Sequence, residues 1–223
     1  MLKPICIIPA RKGSKRIKNK NVKNFFGKPI IFYSINTAKK SNLFKEIHVS
    51  TDSNKIKRIA KKFNVECDIL RKKYLSSDSA KTFEVLKDFI NNLSFIPEIV
   101  CCLYPASPFV KVHHLKKAYK ILKKNRKLDL IIPVAKFSNN PLRSLVINKK
   151  LVKPSNSKFF KLNSNNLKEF YYDTGSFYMI RSKFIQKSKS FFPSKAYPLE
   201  IKKNHFIDIN DNEDFKLARK LFK

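Results

Sequence analysis

Short apolar runs rich in β-branched residues alternate with stretches whose apolar positions recur every three or four residues, and this alternation restricts the fold more than any other feature. It is the pattern of an α/β domain with a largely parallel central sheet flanked by helices. Strands are expected at 5–9, 47–50, 67–70, 99–104, 130–134, 177–180 and 206–209. The run 99–104 is apolar throughout, as a central strand covered on both faces requires. Helices are expected at 29–40, with Pro29 in the first turn, and from Ser53 or Asn54, where Ile56, Ile59, Ala60 and Phe63 share one face. Phe83, Leu86, Phe89, Ile90 and Leu93 mark a further helix, and Val112, Leu115, Ala118, Tyr119 and Leu122 another. A last helix follows Asp211, which can cap it with Asp214 at the capping-box position. Residues 138–170 break the rhythm: they are rich in Asn, Ser, Lys and Pro, and read as hairpins and loops projecting from one domain spanning 1–223.

The chain has 223 residues and a net charge of +33. Such a charge raises nucleic acid or an anionic membrane surface as partners. Yet only eight of the 49 basic residues are Arg, and lysines run from Lys3 to Lys223. A dispersed Lys excess, with abundant Asn and three Gly, reads as the codon bias of an AT-rich genome rather than as a groove, since Arg is the usual base and phosphate reader. Nucleic acid is therefore the rival reading. The apolar runs fall far short of the roughly 20 residues a membrane span needs, and the N-terminus lacks a signal-peptide pattern. A soluble, unexported, cytoplasmic protein is expected. Cys6, Cys67, Cys101 and Cys102 form no C-x-x-C pair and read as reduced core thiols. His48, His113, His114 and His205 are too scattered for a nitrogen or sulfur metal site, and the adjacent pair reads as a helix start.

One basic cluster stands apart from the background. Arg11, Lys12, Lys15, Arg16, Lys18, Lys20 and Lys23 lie within thirteen residues, directly after the first strand. In a parallel sheet that strand end opens on the ligand crevice, so the cations converge where a polyphosphate can lie. The loop contains neither G-x-x-x-x-G-K-[ST] nor G-x-G-x-x-G, so P-loop hydrolysis and classical dinucleotide binding are unsupported. A solvated basic loop or a targeting signal is the alternative.

The stretch Pro9-Ala10-Arg11-x-Gly13-Ser14-Lys15-Arg16, with Lys20-Asn21 and Gly27-Lys28-Pro29, resembles the opening signature of the sugar cytidylyltransferases typified by CMP-sialic acid synthetase. Further matches are collinear: Val49-Ser50-Thr51-Asp52, Leu70-Arg71, Leu75-Ser76-x-Asp78 leading to Thr82, and Tyr104-Pro105-x-Ser107-Pro108. Tyr104, where CMP-sialic acid synthetases generally carry Gln, is similar to the pseudaminic acid cytidylyltransferase branch. Pro141-Leu142-Arg143-Ser144-Leu145 and Tyr171-Tyr172-Asp173-Thr174-Gly175-Ser176-Phe177-Tyr178 resemble that branch too, the latter with three substitutions.

The resemblance implies a Rossmann-like fold of the nucleotide-diphospho-sugar transferase type. It implies a reaction in which the anomeric hydroxyl of a nine-carbon 2-keto sugar acid attacks the α-phosphorus of CTP and releases pyrophosphate; sialic, legionaminic and Kdo-type acids are the alternative substrates. It assigns Arg11, Ser14, Lys15 and Asn21 to the triphosphate or nucleotide and Arg71 and Thr82 to the nucleotide pocket. Arg11 and Lys15 would be the catalytic charges, Lys15 nearest the departing pyrophosphate. Tyr104, Arg143 and Asp173 are the sugar candidates, with core packing, an exposed Arg and turn ordering as their respective alternatives. Magnesium is the implied cofactor, and the family's Asp-Ile-Asp is Asp208-Ile209-Asn210 here. The expected site rests on Asp208, with Asn210 or a water completing it and weaker metal binding as a consequence, while Asp211 is read as a cap. The resemblance also implies a homodimer, with 138–170 contributing to its interface. Loss of activity, hinted at by Asn210, is a further rival.

Overall fold

A computed structural model describes residues 3–67, 71–188, 191–192, 195–202 and 206–222. The chain runs β1 (Ile5–Pro9), a hairpin of β2 (Asn24–Phe25) and β3 (Lys28–Pro29), α1 (Ile31–Ser41), β4 (Ile47–Ser50) and α2 (Asn54–Lys62). It continues through α3 (Thr82–Asn91), β5 (Ile99–Leu103), α4 (Val112–Lys124) and β6 (Leu130–Lys136). A projecting segment carries β7 (Leu145–Asn148), β8 (Leu151–Pro154) and the one-turn α5 (Ser157–Phe160). The chain then returns through β9 (Tyr171–Asp173), β10 (Phe177–Arg181), α6 (Ser182–Lys187), β11 (Ala196–Glu200) and α7 (Asn212–Leu221).

The main sheet has the order β11-β6-β10-β5-β1-β4, with β9 also on β6. β1 pairs in parallel with β4 and β5, and β6 with β11, whereas β10 is antiparallel to both β5 and β6. Five of the seven strands therefore share one direction. β9 and β10 lie consecutively along β6, pairing Asp173 with Val134 and Met179 with Ile131, and the chain breaks between them at 174–176. Thr174 holds that break by donating from N and Oγ1 to the Pro133 carbonyl, at 3.1 and 3.2 Å.

Alternating side chains send the strands into two cores. Cys6, Ile8, Cys101 and Leu103 pack with α1, α2 and α4 on one face, while Ile5, Ile7, Val100 and Cys102 pack with α3 and α6 on the other. Burial of each Ile or Leu contributes about 1.5–3 kcal/mol, which explains why both faces of these strands are apolar. All four cysteines are buried thiols, none in a disulfide. A third cluster, built on Phe25, Ile30, Phe109, Ile209 and Phe215, docks α7 and includes Ile17 of the basic loop. That one apolar side chain, 2% exposed, anchors an otherwise charged segment.

Several boundaries differ from the sequence expectation. The expected strand at 206–209 forms no ladder among the described residues, because the burial of Ile209 serves the third cluster instead. The segment between the first strand and Pro29, which the sequence leaves without an expected element, contains a 3₁₀ turn at Lys20–Val22 and the β2–β3 hairpin. Pro29 belongs to that hairpin, and the helix begins at Ile31. Phe26 and Gly27 both have positive φ at its turn, the geometry a two-residue hairpin needs, and Asn24 Oδ1 accepts the Gly27 N–H at 2.9 Å. Of the expected strand 67–70, Cys67 is described and buried; 68–70 lies outside the described residues, as does His205. Among the described residues no helix is long and apolar enough to cross a membrane.

Candidate active site

From β1 the chain passes through α1 to β4 on one side, then crosses to β5 on the other side of β1. The β1/β5 boundary is thus a topological switch point, where loops leaving the carboxyl ends of the strands splay apart and leave a crevice. A cleft of about 230 Å³ lies there, lined after β1 by Arg11, Ser14 and Asn21 and after β5 by Tyr104 and Pro105. Arg71, Asp78 and Thr82 complete the wall. The six residues assigned to the nucleotide are distributed accordingly: Arg11, Ser14, Asn21, Arg71 and Thr82 line the cleft, and Lys15 reaches its edge through Asp78.

The basic loop is held by contacts from distant parts of the chain. Lys12 N–H donates to Asp52 Oδ1 at 2.7 Å, just beyond β4. Arg16 Nη2 donates to Asn210 Oδ1 at 2.9 Å and Lys20 Nζ to the Ile209 carbonyl at 2.8 Å, tying the loop to the segment before α7. Burial lowers the Lys20 pKa, against an opposing pull from Asp208. Asp78 is a cleft residue that sequence reasoning left without a role, although it stands inside a motif it quoted, and Lys20, read as one of the converging cations, ties the loop to Ile209.

Asn21 is 5% exposed. Its Nδ2 donates to the Arg11 carbonyl at 3.0 Å, and because a carbonyl only accepts, that contact fixes the amide's orientation. Its Oδ1 is buried and has no hydrogen-bond partner among the described residues. An orphaned acceptor calls for a donor such as a hydroxyl or an amine, and a fully ionised phosphate oxygen is not one.

Arg71 is fastened to the end of β4, donating from Nη2 to the Ser50 carbonyl at 2.7 Å and from Nε to Ser50 Oγ at 3.2 Å. Burial pulls its pKa down while Asp52 opposes. Tyr104, one residue beyond β5, donates to Thr82 Oγ1 at 3.0 Å, and its ring meets Tyr178 edge-on with centroids 5.8 Å apart. Burial pushes both phenols upward, so both are neutral donors at physiological pH.

Asp173 ends β9 with one carboxylate oxygen on the Gly175 N–H, at 2.8 Å, and the other on the Tyr178 hydroxyl. The turn-ordering role is therefore present in the structure. Gly175 has φ +57°, and a Cβ there would sit 3.8 Å from Asp208 Oδ2, which places the Asp208 carboxylate beside this turn. Arg143 is not brought to the cleft: it lies on the projecting segment with its guanidinium 5.3 Å from the Phe160 ring centroid. Asp211 caps α7, accepting from the Glu213 and Asp214 N–H groups at 2.9 Å each, as the sequence implied. His114 accepts from the Lys111 N–H in the first turn of α4, in keeping with a helix start.

For magnesium, the donor set fits in a reduced form. Asp208 supplies an exposed carboxylate, but the Asn210 amide oxygen is engaged by Arg16, so one side chain of the pair is available as a ligand. Magnesium is commonly held by one or two carboxylates plus substrate phosphates, and Asp208 satisfies that minimum.

The crevice thus sits at a switch point of a mostly parallel sheet, is lined with cations and has no glycine-rich phosphate nest, an arrangement that can take a nucleotide by side-chain charge. Residues 5–221 match the family described as Cytidylyltransferase, and the chain belongs to it. It is 33% identical to the pseudaminic acid cytidylyltransferase of Campylobacter jejuni over 100% of this chain and 97% of that protein. Against a Helicobacter pylori protein that combines pseudaminic acid cytidylyltransferase with a UDP-sugar hydrolase, identity is 34% over 98% of this chain, which spans 42% of that longer protein. The N-acylneuraminate cytidylyltransferase of Streptococcus agalactiae is 31% identical over 96% of this chain and 52% of its own length. The solved structure of CMP:2-keto-3-deoxy-manno-octonic acid synthetase complexed with CTP superposes with a TM-score of 0.74 at 15% identity, covering 98% of both chains.

Proposed function

We propose that this chain activates a nonulosonic acid, pseudaminic acid, by transferring CMP from CTP with release of pyrophosphate. The observation that carries the reading is the switch-point cleft, to which Arg11 and Lys15 bring positive charge and Asn21 a buried oxygen that can accept from a ligand donor. Arg11 and Lys15 offset charge on the β- and γ-phosphates, with Arg suited to bidentate contact and Lys to a mobile point charge. Asn21 Oδ1 accepts from a nucleoside hydroxyl or amine, and Arg71 and Thr82 bound the base side. Tyr104, backed edge-on by the buried Tyr178 ring, presents a neutral aromatic surface to the cleft on the sugar side. Chemistry of this kind depends on positioning and charge neutralisation more than on a covalent group.

Asp208 is the residue that would hold magnesium, with Asn210 remaining on Arg16. Magnesium, when bound, neutralises phosphate charge that the lysines alone leave uncompensated.

The reading includes a homodimer, supported by the exposed apolar residues of the β7–β8 hairpin: Ile147 is 75% and Leu151 76% exposed. It includes a cytoplasmic setting, supported by four buried cysteines that form no disulfide.

Substituting Lys15 or Asp208 by Ala is expected to cut turnover about 100-fold or more while the unfolding midpoint stays within a few degrees, because both side chains are exposed. Wild-type turnover in both variants would overturn the assignment.

A further inference from the structure

One carboxylate sits among the cations of the cleft. Asp78 Oδ1 is 3.0 Å from Arg11 Nη1 and Asp78 Oδ2 is 2.5 Å from Lys15 Nζ, while the same Arg11 Nη1 donates to the Ser77 carbonyl at 2.8 Å. The two side chains assigned to the triphosphate are therefore both paired to one acidic residue. We propose that Asp78 is an internal stand-in for the triphosphate, holding Arg11 and Lys15 until substrate phosphate displaces it and competing for them again when pyrophosphate leaves. This rests on the proposed function, since it presumes that the cleft takes a triphosphate.

Three observations support an exchangeable latch over a structural tie. The Asp78 side chain is 49% exposed and that of Lys15 80% exposed, so the pair is screened by water and cheap to break. A polyphosphate brings several charges to the same two cations and outcompetes one carboxylate. The basic loop is also anchored elsewhere, through Lys12 to Asp52, Arg16 to Asn210, Lys20 to Ile209 and buried Ile17, so releasing Asp78 leaves the loop in place. The hydrogen bond from Lys15 holds the Asp78 carboxyl below its ordinary range, so the latch is ionised at neutral pH. Without Asp78, Arg11 and Lys15 would hold free phosphate and pyrophosphate more tightly, and product would leave more slowly.

The test is titration calorimetry of CTP and of pyrophosphate into wild type, Asp78→Asn, Lys15→Gln and the double variant, with steady-state kinetics alongside. Asp78→Asn is expected to bind both ligands about two- to tenfold tighter, the range for removing two competing exposed ion pairs. The product-inhibition constant for pyrophosphate should fall by the same factor, with the sugar KM unchanged. In the Lys15→Gln background the gain from Asp78→Asn should shrink, because one of the two released cations is already gone. A purely structural Asp78 would make the variant bind both ligands more weakly and melt earlier; weaker or unchanged binding overturns the latch. A wild-type protein that binds no CTP removes the proposed function, whereas a CTP-binding wild type with no gain in Asp78→Asn removes the latch alone.

Discussion

Replacing Asn21 by Ala separates a binding role from a folding role. In the free protein the substitution deletes the Nδ2 bond to the Arg11 carbonyl, costing about 0.5–1.5 kcal/mol, and deletes the orphaned Oδ1, whose burial costs about 1–3 kcal/mol. The two contributions oppose each other, so stability should stay within about 2 kcal/mol of wild type. In the CTP complex the balance is one-sided, because the acceptor that a nucleoside donor needs is gone. CTP binding is then expected to weaken about 5- to 100-fold, the equivalent of about 1–3 kcal/mol. Pyrophosphate binding should stay within about twofold, because it offers Oδ1 no donor in its fully ionised form. Urea denaturation and parallel titrations of CTP and pyrophosphate give all three numbers. An unchanged CTP affinity, or equal losses for CTP and pyrophosphate, would refute the assignment of this oxygen to the nucleoside.

Two other substitutions probe the metal and the assembly. Asn210→Asp keeps an acceptor for Arg16 and sets a second carboxylate two residues from Asp208, so the magnesium concentration for half-maximal activity should fall severalfold; an unchanged titration removes position 210 from the metal. Ile147→Ser with Leu151→Ser removes one exposed apolar side chain from each face of the β7–β8 hairpin, and light scattering should report monomer in place of dimer with little change in the unfolding midpoint; a persistent dimer places the interface elsewhere.

Features set by local pattern were legible in the sequence. β1, β5 and β10 are buried along almost their whole length, and continuous apolar runs announce strands of that kind. The cap at Asp211 and the amphipathic face of α2 follow from spacing within one or two turns. β11 was missed because Ala-Tyr-Pro-Leu-Glu at a sheet edge buries one side chain and carries a Pro, and α6 because six residues are too few to display a helical period. The strand expected at 206–209 failed because apolar residues can answer to packing as well as to pairing.

At the site, the cations after β1 could be placed at a crevice from topology, but their partners could not. Arg16 meets Asn210 across 194 positions and Arg11 meets Ser77 across 66. Such contacts exist only once the sheet has set the loops side by side. The same distance in sequence hid the role of Asp78, a carboxylate whose effect depends on the two cations it faces. It also hid that the Asn210 amide oxygen accepts from Arg16, a contact that ties the basic loop to the segment before α7.

The central claim is tested most directly by pyrophosphate release from CTP with magnesium, across pseudaminic, legionaminic, sialic and Kdo acids and with the other nucleoside triphosphates as controls. The account predicts release that requires both CTP and pseudaminic acid. Release with a different acid would move the specificity while keeping the chemistry, and silence from folded protein with every acid and every triphosphate would contradict the account.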